Sequence, residues 1–442
     1  MSDDLAVLVA APPHAKPLAH KQSPAKVIRA AVVGTVVEYY DFGIFGYMAT
    51  TMAALFFVSG NPTASLLGTF ATFAVAFFIR IPGGIFFGHI GDRYGRKTSL
   101  SWTILLMVAA TAGMGLLPTY YTLGAWATAI LVLGRCVQGL AAGGEVGGAN
   151  AMVAESAPAR WRATQTSMVN TGTYLGSLCA SLMALAITSF FDEQTILDWV
   201  WRIPFLLSVV LGGIGIWIRS QLDDTPEFEK LENSGEKQEV PIRELISTSG
   251  GTLVKIIFLG AMITAGYYIG SVYTATYLKT TVGHSSQVAF LSTAVALILG
   301  IITLPLAGWA SDTWGRKPVL FTGSAAGIVL GLPMFMMMSG GSVWEAIVGQ
   351  STLFICVSVV NGASFVTYAE LLKTSVRYSG IALGNNTTVT LLGGTAPFIA
   401  TYLISVTGNP LAPAGYYVLA AALTFGAVFF IEETKGIALK SV

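Results

Sequence analysis

Charge is what this chain has least of. Asp, Glu, Lys and Arg make up 11% of its 442 residues, whereas soluble domains carry about 25%. A folded soluble surface needs far more than that, which excludes an ordinary soluble enzyme. The 24 Lys and Arg against 23 Asp and Glu leave no basic field to gather nucleic acid and no acidic tail. Three cysteines, Cys136, Cys179 and Cys356, sit singly in apolar runs and read as small buried hydrophobes. The four histidines, His14, His20, His89 and His284, are scattered without ligand spacing. No metal site and no cofactor is therefore expected, and no nucleophile beside a base points to an enzyme. The apolar run Leu5 to Ala11 is short and lacks a basic leader, so a cleaved signal peptide is not expected.

Long apolar runs are what the chain does have, with 54% hydrophobic residues and 49 glycines. Twelve runs reach the roughly 20 residues that cross a bilayer as helix. They cover 27–58, 63–90, 98–118, 122–154, 161–190 and 199–220, then 250–280, 284–310, 318–339, 342–371, 375–406 and 412–431. The expected fold is an all-α membrane protein of twelve transmembrane helices in two six-helix bundles. The organisation is a tail at 1–26, a first bundle at 27–220, a charged linker at 221–249, a second bundle at 250–431 and a tail at 432–442. Eleven charges between Gln221 and Ser249 mark the linker. With both termini cytosolic, about 20 of the basic residues fall inside and only Lys279 is plainly outside, as the positive-inside rule requires. The expected setting is the bacterial inner membrane.

The halves repeat one another. Gly88-His-Ile-Gly-Asp92-Arg93-Tyr-Gly95-Arg96-Lys97 follows span two, and Gly308-Trp-Ala-Ser-Asp312-Thr-Trp-Gly315-Arg316-Lys317 follows span eight with the same spacing. Duplicated halves place a substrate site at their interface near the midplane.

Charges inside a bilayer are costly, so each is a functional candidate. Glu38 and Asp41 lie at i and i+3 in span one, on one helical face, roughly 16 Å from its start. Two close carboxylates in low dielectric resist joint ionisation, which suits proton coupling. Arg135 in span four, with Gln138 after it and Glu145 further on, reaches a similar depth and is a candidate to grip substrate or coupling carboxylate bidentately. The structural alternative is a permanent bridge from Arg135 to Glu38 or Asp41. Arg80 is either a substrate contact or a cation snorkelling toward the surface. Three acids against two arginines leave one negative charge, which one proton would neutralise. Candidate substrate contacts are Tyr39, Arg80, Arg135, Gln138, Asn170, Tyr174, Asn385, Asn386 and the tyrosines of span seven, Tyr267, Tyr268 and Tyr273. Packing explains the glycines of span four more simply than chemistry does.

The repeated hairpin resembles the signature loop of the major facilitator superfamily. Within it, Val37-Glu38-Tyr39-Tyr40-Asp41-Phe42, Arg135-Cys-Val-Gln138-Gly139 with Gly143-Gly144-Glu145, Trp201-Arg202-Ile-Pro204-Phe205 and Asp224-Thr-Pro226-Glu227 resemble the metabolite:proton symporters. That family includes α-ketoglutarate, shikimate and proline/betaine transporters of bacteria. The resemblance implies alternating access driven by the proton gradient, for which the intramembrane residues read above, Glu38, Asp41, Arg135 and Glu145, are the coupling candidates. It also implies a cytosolic gate of Gly88, Asp92, Arg93, Gly95, Arg96 and Lys97 with Gly308, Asp312, Gly315, Arg316 and Lys317. Tyr39 stands where the family has Trp, Ile81-Pro82 reverses the familiar order after Arg80, and Glu370-Leu-Leu-Lys373 lacks the Pro before Arg377. Span five lacks the Gly-Pro pattern of antiporters, which favours symport.

The primary expectation is proton-coupled import of a small organic acid by a monomer whose partners are substrate, protons and lipid. A proline or betaine importer is the first alternative, since Ala414-Gly415-Tyr416-Tyr417 resembles that branch, although no long coiled-coil tail precedes Val442. A metabolite sensor or a membrane enzyme is more remote.

Overall fold

The computed structural model describes residues 24–94, 96–143, 145–220, 242–437 and 439. The first half comprises α1 (Pro24–Tyr47, continued by Ala49–Phe56), α2 (Pro62–Tyr94), α3 (Arg96–Gly115), α4 (Ala125–Ala142, continued by Glu145–Ser156), α5 (Arg162–Phe190) and α6 (Arg202–Ser220). The second comprises α7 (Ile242–Leu259, running on to Val282), α8 (Ser286–Trp314), α9 (Arg316–Met338), α10 (Val343–Leu371), α11 (Thr374–Thr388, running on to Thr407) and α12 (Ala412–Phe429). Among the described residues nine helices are long and apolar enough to cross a membrane, or ten if the pair bent by 50° at the start of α6 is one span. The other two spans are α1, broken at Met48, and α3, whose apolar part Ser101–Gly115 is short. Helix α7 already begins at Ile242, inside the stretch read as linker, while 221–241 lie outside the described residues.

Local chemistry sets several ends. Ser342 and Glu345 form a capping box at the start of α10, satisfying two orphan N–H groups reciprocally. Gly315, at φ +112°, turns the chain between α8 and α9, a conformation that L side chains resist. Three wide π-turns, Met262–Gly266, Ile269–Tyr273 and Leu278–Val282, interrupt α7, and a fourth, Val389–Gly393, interrupts α11. Each shifts the helical register, so side chains that would spiral away stay on one face.

Large apolar side chains such as Phe86, Trp217, Leu306 and Val329 face outward, which suits a hydrocarbon solvent. Within the halves, α1 packs on α5, α2 on α4, and α10 on α8 and α9; the halves meet through α5 on α8 and through α2 and α4 on α11. Glycine permits the closest of these approaches. A methyl group at Gly139 would overlap the backbone of Ala76, one at Gly176 the backbone of Val36, and one at Gly308 would sit 2.9 Å from the carbonyl of Ala163. In lipid such close packing is what holds helices together.

Candidate functional site: a buried polar network beside a tyrosine-lined cavity

The i and i+3 spacing on α1 does point both carboxylates inward, but to different partners. Glu38 is ion-paired with Arg80 of α2, and both side chains are 1% exposed. Arg80 is therefore buried and neutralised and does not snorkel. Asp41 receives a hydrogen bond from the Thr111 hydroxyl of α3 at 2.8 Å. Thr111 accepts from the Gln138 amide at 2.6 Å, and the Gln138 carbonyl accepts from Arg135 at 2.6 Å. In place of the alternative of a direct bridge from Arg135 to an acid there is a relay through two neutral side chains. The Arg135 guanidinium instead lies over three rings, with centroids at 4.9 Å (Phe42), 4.4 Å (Phe45) and 5.2 Å (Phe73). Cation–π attraction to three faces offsets part of its desolvation. Charge is balanced in this network, and the expected surplus of one depends on Glu145, whose side chain lies outside the described residues.

Between the halves is a small cavity of about 30 Å³, room for roughly a water molecule. Tyr39 of α1, Asn170, Thr173 and Tyr174 of α5, and Ile263, Thr264, Tyr267 and Tyr268 of α7 line it, closed by Asn361 and Phe365 of α10 and Asn385 and Val389 of α11. Six of the residues read from sequence, Tyr39, Asn170, Tyr174, Tyr267, Tyr268 and Asn385, are brought together here. Tyr267 is the hub, its ring centroid 5.8 Å from Tyr39, 5.7 Å from Tyr174 and 5.0 Å from Tyr268. The Tyr267 hydroxyl bonds Ser177, which ties α7 to α5. Asn170 exchanges hydrogen bonds with Asn150 at 3.3 and 3.1 Å while facing the cavity.

Five expected contacts do not line it. Tyr273 packs on Phe70 and Tyr277 further along α7. Asn386 donates to the Gly143 carbonyl at 2.6 Å, fastening α11 to α4. Arg80, Arg135 and Gln138 belong to the network inside the first half. Thr173, Thr264, Asn361 and Phe365 are lining residues that sequence reading missed; only their place near mid-span marks them. A larger hollow of about 600 Å³, bordered by Leu55, Pro118, Tyr121, Asp198 and Arg202, lies within the first half and away from this chemistry.

The hairpin end of the bundle is closed by ion pairs. Asp312 accepts from the backbone N–H groups of Ala163 and Thr164 at 3.0 and 2.9 Å, at the start of α5, and from Arg316 at 3.0 Å. A carboxylate at a helix N-terminus is favoured by the exposed N–H groups and the dipole. Glu370 accepts from Arg162 of the first half at 3.1 Å and from Arg316 of the second at 3.0 Å. Thr434, beyond α12, donates to Glu370 at 2.6 Å. Glu433 accepts from the first N–H groups of α9, Arg316 at 2.8 Å and Lys317 at 3.0 Å. Partial burial would raise the Glu433 carboxyl, but these backbone bonds hold it below the usual carboxylate range. In the first hairpin Gly88 is within α2, whereas Gly95 and the side chains of Asp92, Arg93, Arg96 and Lys97 lie outside the described residues. At the opposite end Lys279 donates to Thr50 at 2.9 Å and Ser181 to the Phe290 carbonyl at 3.1 Å. Contacts between the halves are thus present at both ends.

A family model described as Major Facilitator Superfamily matches residues 31–397. Among curated relatives, the glycine betaine/proline/ectoine/pipecolic acid transporter OusA of Dickeya dadantii is 33% identical over 425 residues, 94% of this chain and 84% of its own length. The ectoine/proline transporter ProP of Corynebacterium glutamicum is 35% identical over 433 residues, 93% of this chain and 85% of its own. The proline/betaine transporter of Escherichia coli K12 is 32% identical over 426 residues, 94% and 85% of the two chains. Among solved structures, the partially occluded inward-open xylose transporter XylE from E. coli superposes with a TM-score of 0.74 at 17% identity, covering 94% of this chain and 99% of its own.

Proposed function

The chain belongs to the major facilitator superfamily of multi-pass membrane transporters, and from that premise we propose that it imports a small zwitterionic solute of the proline and betaine class by proton-coupled alternating access. The observation that carries this reading is the cavity's lining. Four tyrosine faces converge with amides and hydroxyls, and among the described residues no Asp, Glu, Lys or Arg lines it. Aromatic faces attract an ammonium group without a counter-charge, and amide and hydroxyl donors suit a single carboxylate. A dicarboxylate would need a cation, but Arg80 is committed to Glu38 and Arg135 to Gln138 and three Phe rings. The organic-acid expectation therefore gives way to the compatible-solute alternative, which the relatives named for proline, betaine and ectoine favour.

Asp41 is the better proton carrier of the two acids on α1. Glu38 is balanced by a guanidinium, whereas Asp41 faces a hydroxyl that can bond either protonation state. With Asp41 ionised, Thr111 donates to it; with Asp41 protonated, Thr111 accepts and turns its own hydrogen to the Met107 carbonyl at 2.9 Å. Proton exchange then needs no heavy atom to move. The basic hairpins place their end in the cytosol, and the Asp312, Arg316, Arg162 and Glu370 cluster is the gate that opens when the halves rock apart. Opening also enlarges the collapsed cavity to substrate size.

Uptake into proteoliposomes tests this, with labelled proline, glycine betaine, α-ketoglutarate and shikimate under an imposed inward proton gradient. Concentrative uptake of proline or betaine, abolished by a protonophore, is expected. Uptake of α-ketoglutarate or shikimate alone would return the reading to an organic-acid carrier.

A further inference from the structure

One polar atom facing the cavity lacks the partner that burial in a membrane protein demands. Asn361 on α10 is 7% exposed and lines the cavity beside Phe365. Its amide nitrogen donates to the Tyr174 hydroxyl at 3.3 Å, which orients the group. The amide oxygen is left with no hydrogen-bond partner among the described residues. Leaving a buried acceptor unsatisfied is unfavourable, so the site favours a ligand that brings a donor to it. Asn170, the amide facing it from α5, has its oxygen filled by Asn150.

The geometry points to Asn361 as the residue that discriminates among zwitterions by their nitrogen, its amide oxygen accepting an N–H from a primary, secondary or tertiary ammonium that a fully N-methylated one cannot supply. This rests on the zwitterion reading above and adds a ranking to it. The tyrosine faces serve every ammonium alike, because cation–π attraction needs only positive charge. The amide oxygen serves only N–H bearers. A site built to receive a hydrogen bond rejects an analogue that lacks it, because its polar atom is then buried without a partner.

The test keeps the carbon skeleton constant and removes donors one at a time, using proline, N-methylproline and N,N-dimethylproline in proteoliposomes. Wild type should prefer them in that order. Asn361→Leu, which keeps bulk and removes the acceptor, should raise the half-saturating proline concentration on the order of 10–100-fold, while N,N-dimethylproline stays within about twofold. Retained dimethylproline uptake shows that the bundle is intact. Asn361→Asp, which keeps an oxygen at the same place, should preserve proline above dimethylproline. Equal loss of all three in Asn361→Leu would overturn the assignment and give Asn361 to the carboxylate they share; no change in any would overturn it too. A wild type that imports none of the three overturns the zwitterion reading itself, and the ranking with it.

Discussion

Arg162 at the start of α5 bonds Glu370 at the end of α10, 3.1 Å away in the other half. The reciprocal pair, Arg377 on α11 with Glu155 on α4, closes at 2.7 Å. In each half the Glu precedes the Arg by seven positions, so duplication has produced two ion pairs in which each half lends its Arg to the other's Glu. The pairs are not equivalent. The Glu370 side chain is 1% exposed and shared with Arg316, whereas Glu155 is 44% exposed.

That difference sets the first prediction. Glu370→Gln leaves Arg162 without its carboxylate and Arg316 with Asp312 alone, and should destabilise the closed hairpin end by about 3–5 kcal/mol. Glu155→Gln removes a half-solvated partner from Arg377, whose buried guanidinium keeps the Ala369 and Leu372 carbonyls, and should cost less, about 1 kcal/mol. Thermal melting of the purified variants, together with cysteine labelling at the hairpin end, reads both effects. Comparable losses in the two variants would mean that burial does not govern the gate.

Glu38 and Asp41 should separate in the same way. Glu38→Gln leaves Arg80 as an uncompensated buried charge and should lower stability by about 3–5 kcal/mol. Asp41→Asn keeps the Thr111 hydrogen bond, and Arg135 keeps Gln138 and its three rings, so this variant should lose less stability than Glu38→Gln. Its defect should be in coupling: exchange of labelled for unlabelled substrate persists, while accumulation under a proton gradient is lost. An Asp41→Asn protein that still concentrates substrate and is still sensitive to a protonophore would assign the proton elsewhere.

Run length and the repeated hairpin suffice to read twelve spans in two halves, because hydrocarbon thickness dictates the length of every span. The start of α7 at Ile242 escapes that signal, since Arg243 and Glu244 extend a helix below any apolar window. Depth is partly legible along a helix: Glu38, Asp41 and Arg135 read at similar levels, whereas Arg80 reads nearer the cytosolic end yet pairs with Glu38. Azimuth is not. Which arginine meets Glu38 depends on how α2 and α4 rotate against α1, and that is settled by contacts such as Gly139 on Ala76, far apart in sequence. The π-turns add to the difficulty, because each displaces the face of α7 and α11 that a regular period predicts. Asn361 is a single amide in the apolar run Val357-Ser-Val-Val-Asn361-Gly, and its only sequence signal is that polarity. The repeated Glu and Arg spacing at 155 and 162, then 370 and 377, is a further sequence signal and marks the ion pairs that join the two halves.

Gly308 offers a steric test of closure. Its missing side chain faces Ser167, at 2.5 Å, and the Ala163 carbonyl, at 2.9 Å, across the contact of α5 with α8. Gly308→Val should wedge the halves apart at this end while leaving each bundle folded. Transport should fall at least about tenfold, with a small change in melting, because overpacking typically costs about 1–3 kcal/mol. Wild-type turnover in this variant would show that the hairpin end need not close in the cycle.

Acid should release the segment that follows α12. Glu433 is bonded to three backbone N–H groups, those of Arg316, Lys317 and Lys435. Burial acts to raise its carboxyl, but those bonds prevail and hold it below its ordinary value of 4.5. A depressed folded value means that the carboxylate's contribution is fully present above pH 4.5 and is lost as pH falls through the lower, folded value. Hydrogen exchange over 431–437, corrected for its intrinsic pH dependence, should be slow and constant from neutral pH down to that ordinary value and should accelerate below it. Glu433→Gln should exchange faster already at neutral pH and lose the acid step, since an amide oxygen accepts more weakly than a carboxylate and does not titrate. An acid step that survives in Glu433→Gln would exclude Glu433 as its source.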